Sequence, residues 1–379
     1  MGSSRPTLTG TDYTSPDVYD REIDRIFRGG WACIGHQSGF GPRSRRVLEV
    51  AGERIIVTGD EEGRIHALAN VCRHRGSELC DPTDPTIVGG DPGPKSIRCP
   101  YHAWTYSLDG SLVATPRVDE GDIDLAANGL HRYPIEVVNG LVFVSLGRPT
   151  MTLDAWLDRY SPDAAAWLRG AEFDFTGLHL ERRTATRVAA NWKIIVENYL
   201  ECLHCPVVHP ELVDVIPLYR TGRATDPDRD DGAVALTPGA NSFSADGQAD
   251  LPLLPGFDAD NENLYVGHHV FPNLFVDVTS TSCIVTVLFP DGAGNTMALG
   301  DYLFAPEAPD QPDFDPDTVI DFSELVGHQD YDVCERVQRG VRSATFDHGI
   351  LTAKDREVAT FDTHYRQALE PVDWAARPQ

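Results

Sequence analysis

The chain has 379 residues, 41% hydrophobic and 24% charged, the composition of an ordinary globular protein long enough for two domains. With 58 acidic against 32 basic residues its net charge is −26, which argues against a nucleic-acid partner, because phosphates need basic patches. No apolar run reaches the roughly 18–20 residues that span a bilayer, and the opening MGSSRPTLTGTDY lacks an apolar signal core, so the expectation is a cytoplasmic protein without a membrane segment. In such a chain the eight cysteines are expected to be free, metal-bound or buried rather than disulfide-bonded.

Taken in order, residues 16–30 read as a helix: Val18, Ile23, Ile26 and Phe27 fall near helical spacing, and Gly29-Gly30 stops it. From Trp31 onward short β-rich runs alternate with turns, among them Asn139-Gly140, the two-residue loop of a hairpin. This stretch carries Cys72-Arg-His74 and Cys99-Pro-Tyr-His102, a thiol and an imidazole in each of two tight loops. Two thiolates with two neutral imidazoles suit Zn(II) or a [2Fe–2S] cluster. The C-x-H spacing of the first loop departs from the C-x₂₋₄-C of zinc fingers and favours the cluster. Between the loops, Asp81 to Pro94 is rich in Pro, Gly and Asp and reads as a surface excursion.

After Pro149 the pattern turns helical through Leu168, and beyond residue 175 a strand runs into NWKIIVENYLECLHCPVVHP, Asn191 to Pro210. Read as a helix, this segment puts Glu201 and His204 on one face, with His209 at the helix end before Pro210. Two imidazoles with carboxylates nearby are what a 2-His-1-carboxylate Fe(II) site needs. The formal C-x-x-C of Cys202 and Cys205 lies inside that helix and overlaps a ligand, so a thioredoxin-type redox role is discounted. Residues 221–263 read as irregular loop, a candidate lid. Strands return from Tyr265, with turns at Pro272-Asn273 and Pro290-Asp291-Gly292; His268 and His269 face opposite sides of a strand and cannot both bind one metal. The last stretch reads as two helices, the second beginning around Thr352 as N-cap, and the first is the obvious donor of a third iron ligand.

The order C-x-H, C-x-x-H, then E-x-x-H-x-x-x-x-H resembles the large (α) subunit of the Rieske non-heme iron oxygenases, the ring-hydroxylating family, over nearly the whole chain. IFRGGWACIGH, NVCRHRG, CPYHAWTYSLDG, HHVFPNLFVD and QDYDVCERVQRG all take part in the likeness. The resemblance implies an α+β chain: an N-terminal helical segment (1–34) packed on the catalytic domain, an antiparallel β Rieske domain (35–150), and a helix-grip-like catalytic domain (151–379) with an antiparallel sheet covered by helices. It implies that Cys72, His74, Cys99 and His102 hold the Rieske [2Fe–2S] cluster, and that His204 and His209 bind the mononuclear Fe(II). Asp330 would complete the triad, with Asp332 and Glu335 as competitors. Glu201, with Asn198 beside it, would serve catalysis by linking one subunit's cluster to the next subunit's iron, which implies a homotrimer. Electrons would come from NAD(P)H through a separate flavin/iron–sulfur reductase, with or without a ferredoxin, and O₂ and a small organic substrate would be the other partners.

The ENYLECLHCPVVHP form looks most like the branch of choline, carnitine and glycine betaine monooxygenases, which implies hydroxylation or oxidative demethylation of a betaine-like compound. Trp192, Tyr199, Tyr265, Phe271 and Phe289 are candidates for a cation–π cage. The alternative is a hydroxylase of an aromatic acid or natural-product intermediate, for which Arg220 or Arg223 would supply the carboxylate's partner. A simple Rieske electron carrier would need only the first domain.

Overall fold

The computed structural model describes residues 5–81, 95–170, 173–229 and 232–370; most of the Asp81–Pro94 excursion lies outside them. Every strand pairing among the described residues is antiparallel. The first half builds a four-stranded sheet (Ser44–Val50, Glu53–Gly59, Ile65–Ala69, Arg132–Tyr133) and two three-stranded sheets. Two-residue loops set their registers. Ala51-Gly52 and Asn139-Gly140 both take positive φ, the left-handed pair that matches the twist of a tight hairpin, so Val50 pairs with Glu53 and Val138 with Leu141.

The second half is a six-stranded sheet in the order His179–Val188, Thr296–Phe304, Cys283–Pro290, Leu274–Val278, Leu264–Val270, Ala233–Ala235. Helices Trp192–Tyr199, Asp317–Val341 and Arg356–Ala368 are among those of this half. Most buried apolar side chains form one core, and a smaller one (Leu68, Trp104, Tyr106 and neighbours) lies under Cys72 and Cys99. A part-buried ion pair docks the halves. Arg183 holds Asp301 through both carboxylate oxygens, and Asp301 Oδ2 also accepts from the His36 amide at 3.0 Å. The N-terminal arm packs on the catalytic half: Tyr13 Oη donates to Glu197 Oε1 at 2.8 Å, and fully buried Lys193 pairs with Glu22 at 2.5 Å.

Four local expectations are sharpened or corrected. The stretch 149–168 is two helices, Leu153–Tyr160 and Pro162–Arg169, because Pro162 cannot donate the amide that would carry the first one on. The last helix starts at Arg356, not at Thr352; the Thr352 amide and hydroxyl both donate to Asp355, which closes a turn ahead of the helix. The loop 221–263 is in large part a packed wall: Val234, Leu236, Ser242, Ser244 and Leu254 are buried, and Ala233–Ala235 joins the sheet edge. Finally, the histidine segment is not one helix. It is helical over Trp192–Tyr199, turns through Leu200 to His204, and resumes for one turn at Cys205–Val208.

Candidate metal centres and substrate cavity

The two cluster loops are built by their neighbours. Asn70 Oδ1 accepts from the amides of Leu79 (3.1 Å) and Cys80 (2.9 Å), which fixes the return of the first loop. The Gly76 amide donates to the Cys72 carbonyl at 3.0 Å and the Ala103 amide to the Cys99 carbonyl at 3.0 Å, so both loops have the same tight turn after the cysteine. Gly76 and Ala103 each sit at positive φ, where alanine is uncommon. Cys72 and Cys99 are buried, and Tyr106 Oη lies 3.3 Å from Cys72 Sγ. His74 stacks on Trp104 (ring centroids 4.7 Å apart), and its Nδ1 lies 3.2 Å from Nδ1 of His102. The donor states fit an iron–sulfur group. Burial works against the Cys99 thiolate, but the amides of His102 and Tyr101, with Cys72 and Ser77, hold its pKa below the ordinary value. Partial desolvation and the positive charges nearby keep His102 low, hence neutral. Thiolate and neutral imidazole are the ligating forms.

In the catalytic half the turn after Tyr199 aims the second pair of histidines. His204 Nδ1 donates to Glu201 Oε1 at 2.7 Å, and Glu201 Oε2 accepts from the Leu203 amide, closing the turn. His209 Nδ1 lies 2.7 Å from Gln329 Oε1, an acceptor, so this nitrogen carries the proton; Gln329 Nε2 donates to Glu211 Oε2 at 3.3 Å. Both imidazoles thus turn Nε2 inward, to 3.3 Å and 2.9 Å from Asp330 Oδ1. His204, His209 and Asp330 offer ligand atoms within 4.8 Å of one another, the one group of three or more potential metal donors among the described residues that does so. Burial lowers the His204 pKa, yet hydrogen bonds and charge from Asp330 and Glu201 lift it to about 9, a place made for positive charge. Asp332 is exposed, and Glu335 is spent on the Ala189 amide at 3.0 Å, so neither joins the group. Asn198 Nδ2 is 3.4 Å from His204 Nδ1, a long contact at the cavity wall. Gln329 and Glu211 were missed in the sequence, where nothing but adjacency to Asp330 and Pro210 marks them.

Cys202 and Cys205 are joined by a disulfide that brackets His204, against the expectation of thiols inside a helix. Their two Cα atoms stand 4.9 Å apart, within disulfide range.

A cavity of about 1290 Å³ opens onto the three converging residues. Tyr199, Tyr265, Phe271 and Phe275 line it; Trp192 and Phe289, expected there, are buried core instead. Arg223 reaches the cavity, whereas Arg220 is turned out to Asp214. His269 meets Phe275 and Phe361, and His268 packs on Trp167; both histidines line the cavity, and neither belongs to the group of three converging donors.

A β domain that presents two Cys-His loops, joined to a sheet-and-helix domain with two histidines and an aspartate at the end of a cavity, is the layout of a Rieske non-heme iron oxygenase. Family models agree: the Rieske [2Fe-2S] domain matches residues 30–134 and the ring hydroxylating alpha subunit (catalytic domain) residues 165–371, and the chain belongs to this family. It is an oxidoreductase, the oxygenase component of a system in which electrons reach a [2Fe–2S] cluster and a mononuclear iron from a partner reductase. Similar proteins include the carnitine monooxygenase oxygenase subunit of Acinetobacter pittii (29% identical, covering 91% of this chain and 88% of that one). The glycine betaine monooxygenase oxygenase subunit of Chromohalobacter salexigens is 28% identical, over 89% and 80%. A solved quaternary ammonium Rieske monooxygenase superposes with TM-score 0.76 at 26% identity, covering 97% of this chain and 94% of that one. Among the described residues no helix is long and apolar enough to cross a membrane.

Proposed function

We propose that this chain oxidises a quaternary ammonium compound of the betaine, carnitine or choline type, by hydroxylation or oxidative demethylation. The observation that carries the reading is the cavity itself: aromatic faces of Tyr199, Tyr265 and Phe275 with an acidic side chain, Asp277, among them, opening onto His204, His209 and Asp330. Aromatic faces attract an alkylated cation that offers no hydrogen bond. The names of the relatives point the same way.

In this reading His204, His209 and Asp330 hold the mononuclear iron, and Cys72, His74, Cys99 and His102 hold the cluster. When bound, the cluster would supply electrons and the iron would supply O₂ activation. The chain's own residues do the rest. Glu201 and Gln329 fix the tautomers and orientations of the two histidines, the outer layer that ligating imidazoles require. The sheet face and the wall 221–263 place the substrate and limit water. Glu201, partly exposed beside His204, is the residue through which a neighbouring subunit's cluster would couple to this site, in a homotrimer. The separate reductase is of the flavin/iron–sulfur kind and draws on NAD(P)H.

A single-turnover experiment tests the substrate. The chemically reduced protein, given O₂ and glycine betaine, carnitine or choline, is expected to release formaldehyde or a hydroxylated product by mass spectrometry. Oxygen gained only by aromatic acids would replace this reading with ring hydroxylation. His204→Ala is expected to keep the cluster's absorption and lose at least about a hundredfold in product; unchanged turnover would remove His204 from the iron site.

A further inference from the structure

Asp277 is a carboxylate in the wrong place for a structural residue. Its strand, Leu274–Val278, lies in the middle of the six-stranded sheet, paired on one side with Gly267 and on the other with Ile284. Gly267, Asp277, Ile284 and Tyr302 therefore form one row across the sheet, and all four face the cavity. Asp277 Oδ1 accepts two phenols, Tyr199 Oη at 2.8 Å and Tyr265 Oη at 2.5 Å. Among the described residues Oδ2 takes no hydrogen bond, and no Lys, Arg or His pairs with the carboxylate.

The surroundings are arranged for this geometry. A Cβ on Gly267 would stand 2.6 Å from Tyr265 Oη and 3.0 Å from Tyr199 Oη, so the two phenols reach Asp277 only because that position has no side chain. Tyr199 stacks flat on Phe275 at 4.1 Å, and Phe243 and Tyr219 flank Tyr265. Burial pushes both phenols well above their ordinary pKa, so they stay protonated and donate. A carboxylate in apolar surroundings without a counter-ion is costly, and two phenol hydrogen bonds offset only part of that. Burial, against those two bonds and with the charge of Asp330, raises Asp277 to about 6, so at neutral pH it still holds a negative charge that no cation among the described residues answers.

We propose that Asp277, fixed by Tyr199 and Tyr265, is the anionic subsite that recognises the cationic head of the substrate and selects it over an uncharged group of the same shape. A primary ammonium would need three acceptors, and one free carboxylate oxygen among aromatic faces cannot supply them. A fully alkylated ammonium needs none, and it gains from the carboxylate and the rings together. The assignment rests on the quaternary ammonium reading and names the residue that enforces it.

The test compares choline with 3,3-dimethylbutan-1-ol, its neutral carbon isostere, by calorimetric titration of the holoenzyme. The wild type is expected to prefer choline by at least about tenfold, which corresponds to about 1.4 kcal/mol. Asp277→Asn is expected to bring the ratio below about threefold while affinity for the isostere holds, and Asp277→Glu to restore part of it. Asp277→Ser serves where the Asn variant does not keep the cluster's absorption. A wild type that binds both ligands alike, or variants that lose both by the same factor, would overturn the proposal. Single turnover is read separately. Charge selectivity that depends on Asp277, without oxidation of any trimethylammonium compound, would refute the proposed reaction and leave the subsite standing. Oxidation of such compounds with no dependence on Asp277 would do the reverse.

Discussion

Each histidine of the proposed iron site has one nitrogen committed to an outward acceptor, Glu201 for His204 and Gln329 for His209, which leaves Nε2 of both free to converge. The two acceptors differ in kind. Glu201 is charged and raises the affinity of its histidine for positive charge, while Gln329 is neutral and itself anchored by Glu211. Gln329→Leu is therefore expected to leave the fold intact but to lower iron retention by about 10–100-fold, read as iron per chain after dialysis against a chelator. Retention equal to wild type would show that packing alone aims His209. The same residues show what was legible beforehand. His204, His209 and the cysteines and histidines of the two Cys-His loops stand out by residue type and spacing. Gln329, Glu211 and Asp277 do not, because a glutamine or a lone carboxylate gains its meaning from what faces it across another element.

At the scale of elements, the contact between the N-terminal arm and helix Trp192–Tyr199 titrates. Glu197 on that helix is partly buried, and desolvation raises its pKa; Asp362 and Asp12 add to the rise, while the Tyr13 hydroxyl and Lys193 oppose it. A carboxyl whose folded pKa lies above its unfolded value stabilises the fold below the unfolded value, about 4.3 for a glutamate, and loses that contribution as pH rises through the folded value. Thermal unfolding of the wild type is thus expected to lose stability from weakly acidic toward mildly alkaline pH, and Glu197→Gln to flatten that slope. Parallel pH profiles for the two proteins would remove Glu197 as the cause. In the Rieske half the sheet is sealed by close backbone approach: a Cβ on Gly59 would stand 2.1 Å from the Gly41 carbonyl oxygen and 2.5 Å from that of Phe40. Gly59→Ala is expected to cost about 1–3 kcal/mol in urea unfolding, since backbone atoms cannot step aside as a side chain can. The hairpin at Asn139-Gly140 was legible because that two-residue loop encodes its own turn. The break after Tyr199 was not: ENYLECLHC has the composition of a continuous helix, and the hydrogen bonds of Glu201 to its own turn and to His204 override it.

For the whole molecule, the proposed coupling between subunits has a direct test. His204→Ala and Cys72→Ala homomers should each be inactive, one for want of the iron site and the other of the cluster. Dissociated, mixed and reassembled, they should regain a measurable part of turnover if electrons cross from one chain to the next, and none if transfer stays within a chain. Sedimentation of the wild type should give the mass of three chains. The acidic balance of the chain, with a net charge of −26, makes a complementary basic face on the reductase the expected docking partner, and turnover with reductase should then fall as salt rises while chemically reduced single turnover does not.

The amino-acid sequence by itself determined the class of chemistry, since a Cys-His pair in each of two loops and a downstream histidine pair are local spacings that need no neighbour to be read. It also determined the antiparallel β character of the first half, through loops whose φ preferences are local. Only the tertiary structure decided which carboxylate stands with the histidines, because Asp330, Asp332 and Glu335 lie within two turns of one helix and differ only in the direction they face. It alone separated the cavity aromatics from the core, burying Trp192 and Phe289 and leaving Tyr199 and Tyr265 on Asp277. Burial and long-range pairing are properties of the packed chain, and they set the charge and the shape that a substrate meets.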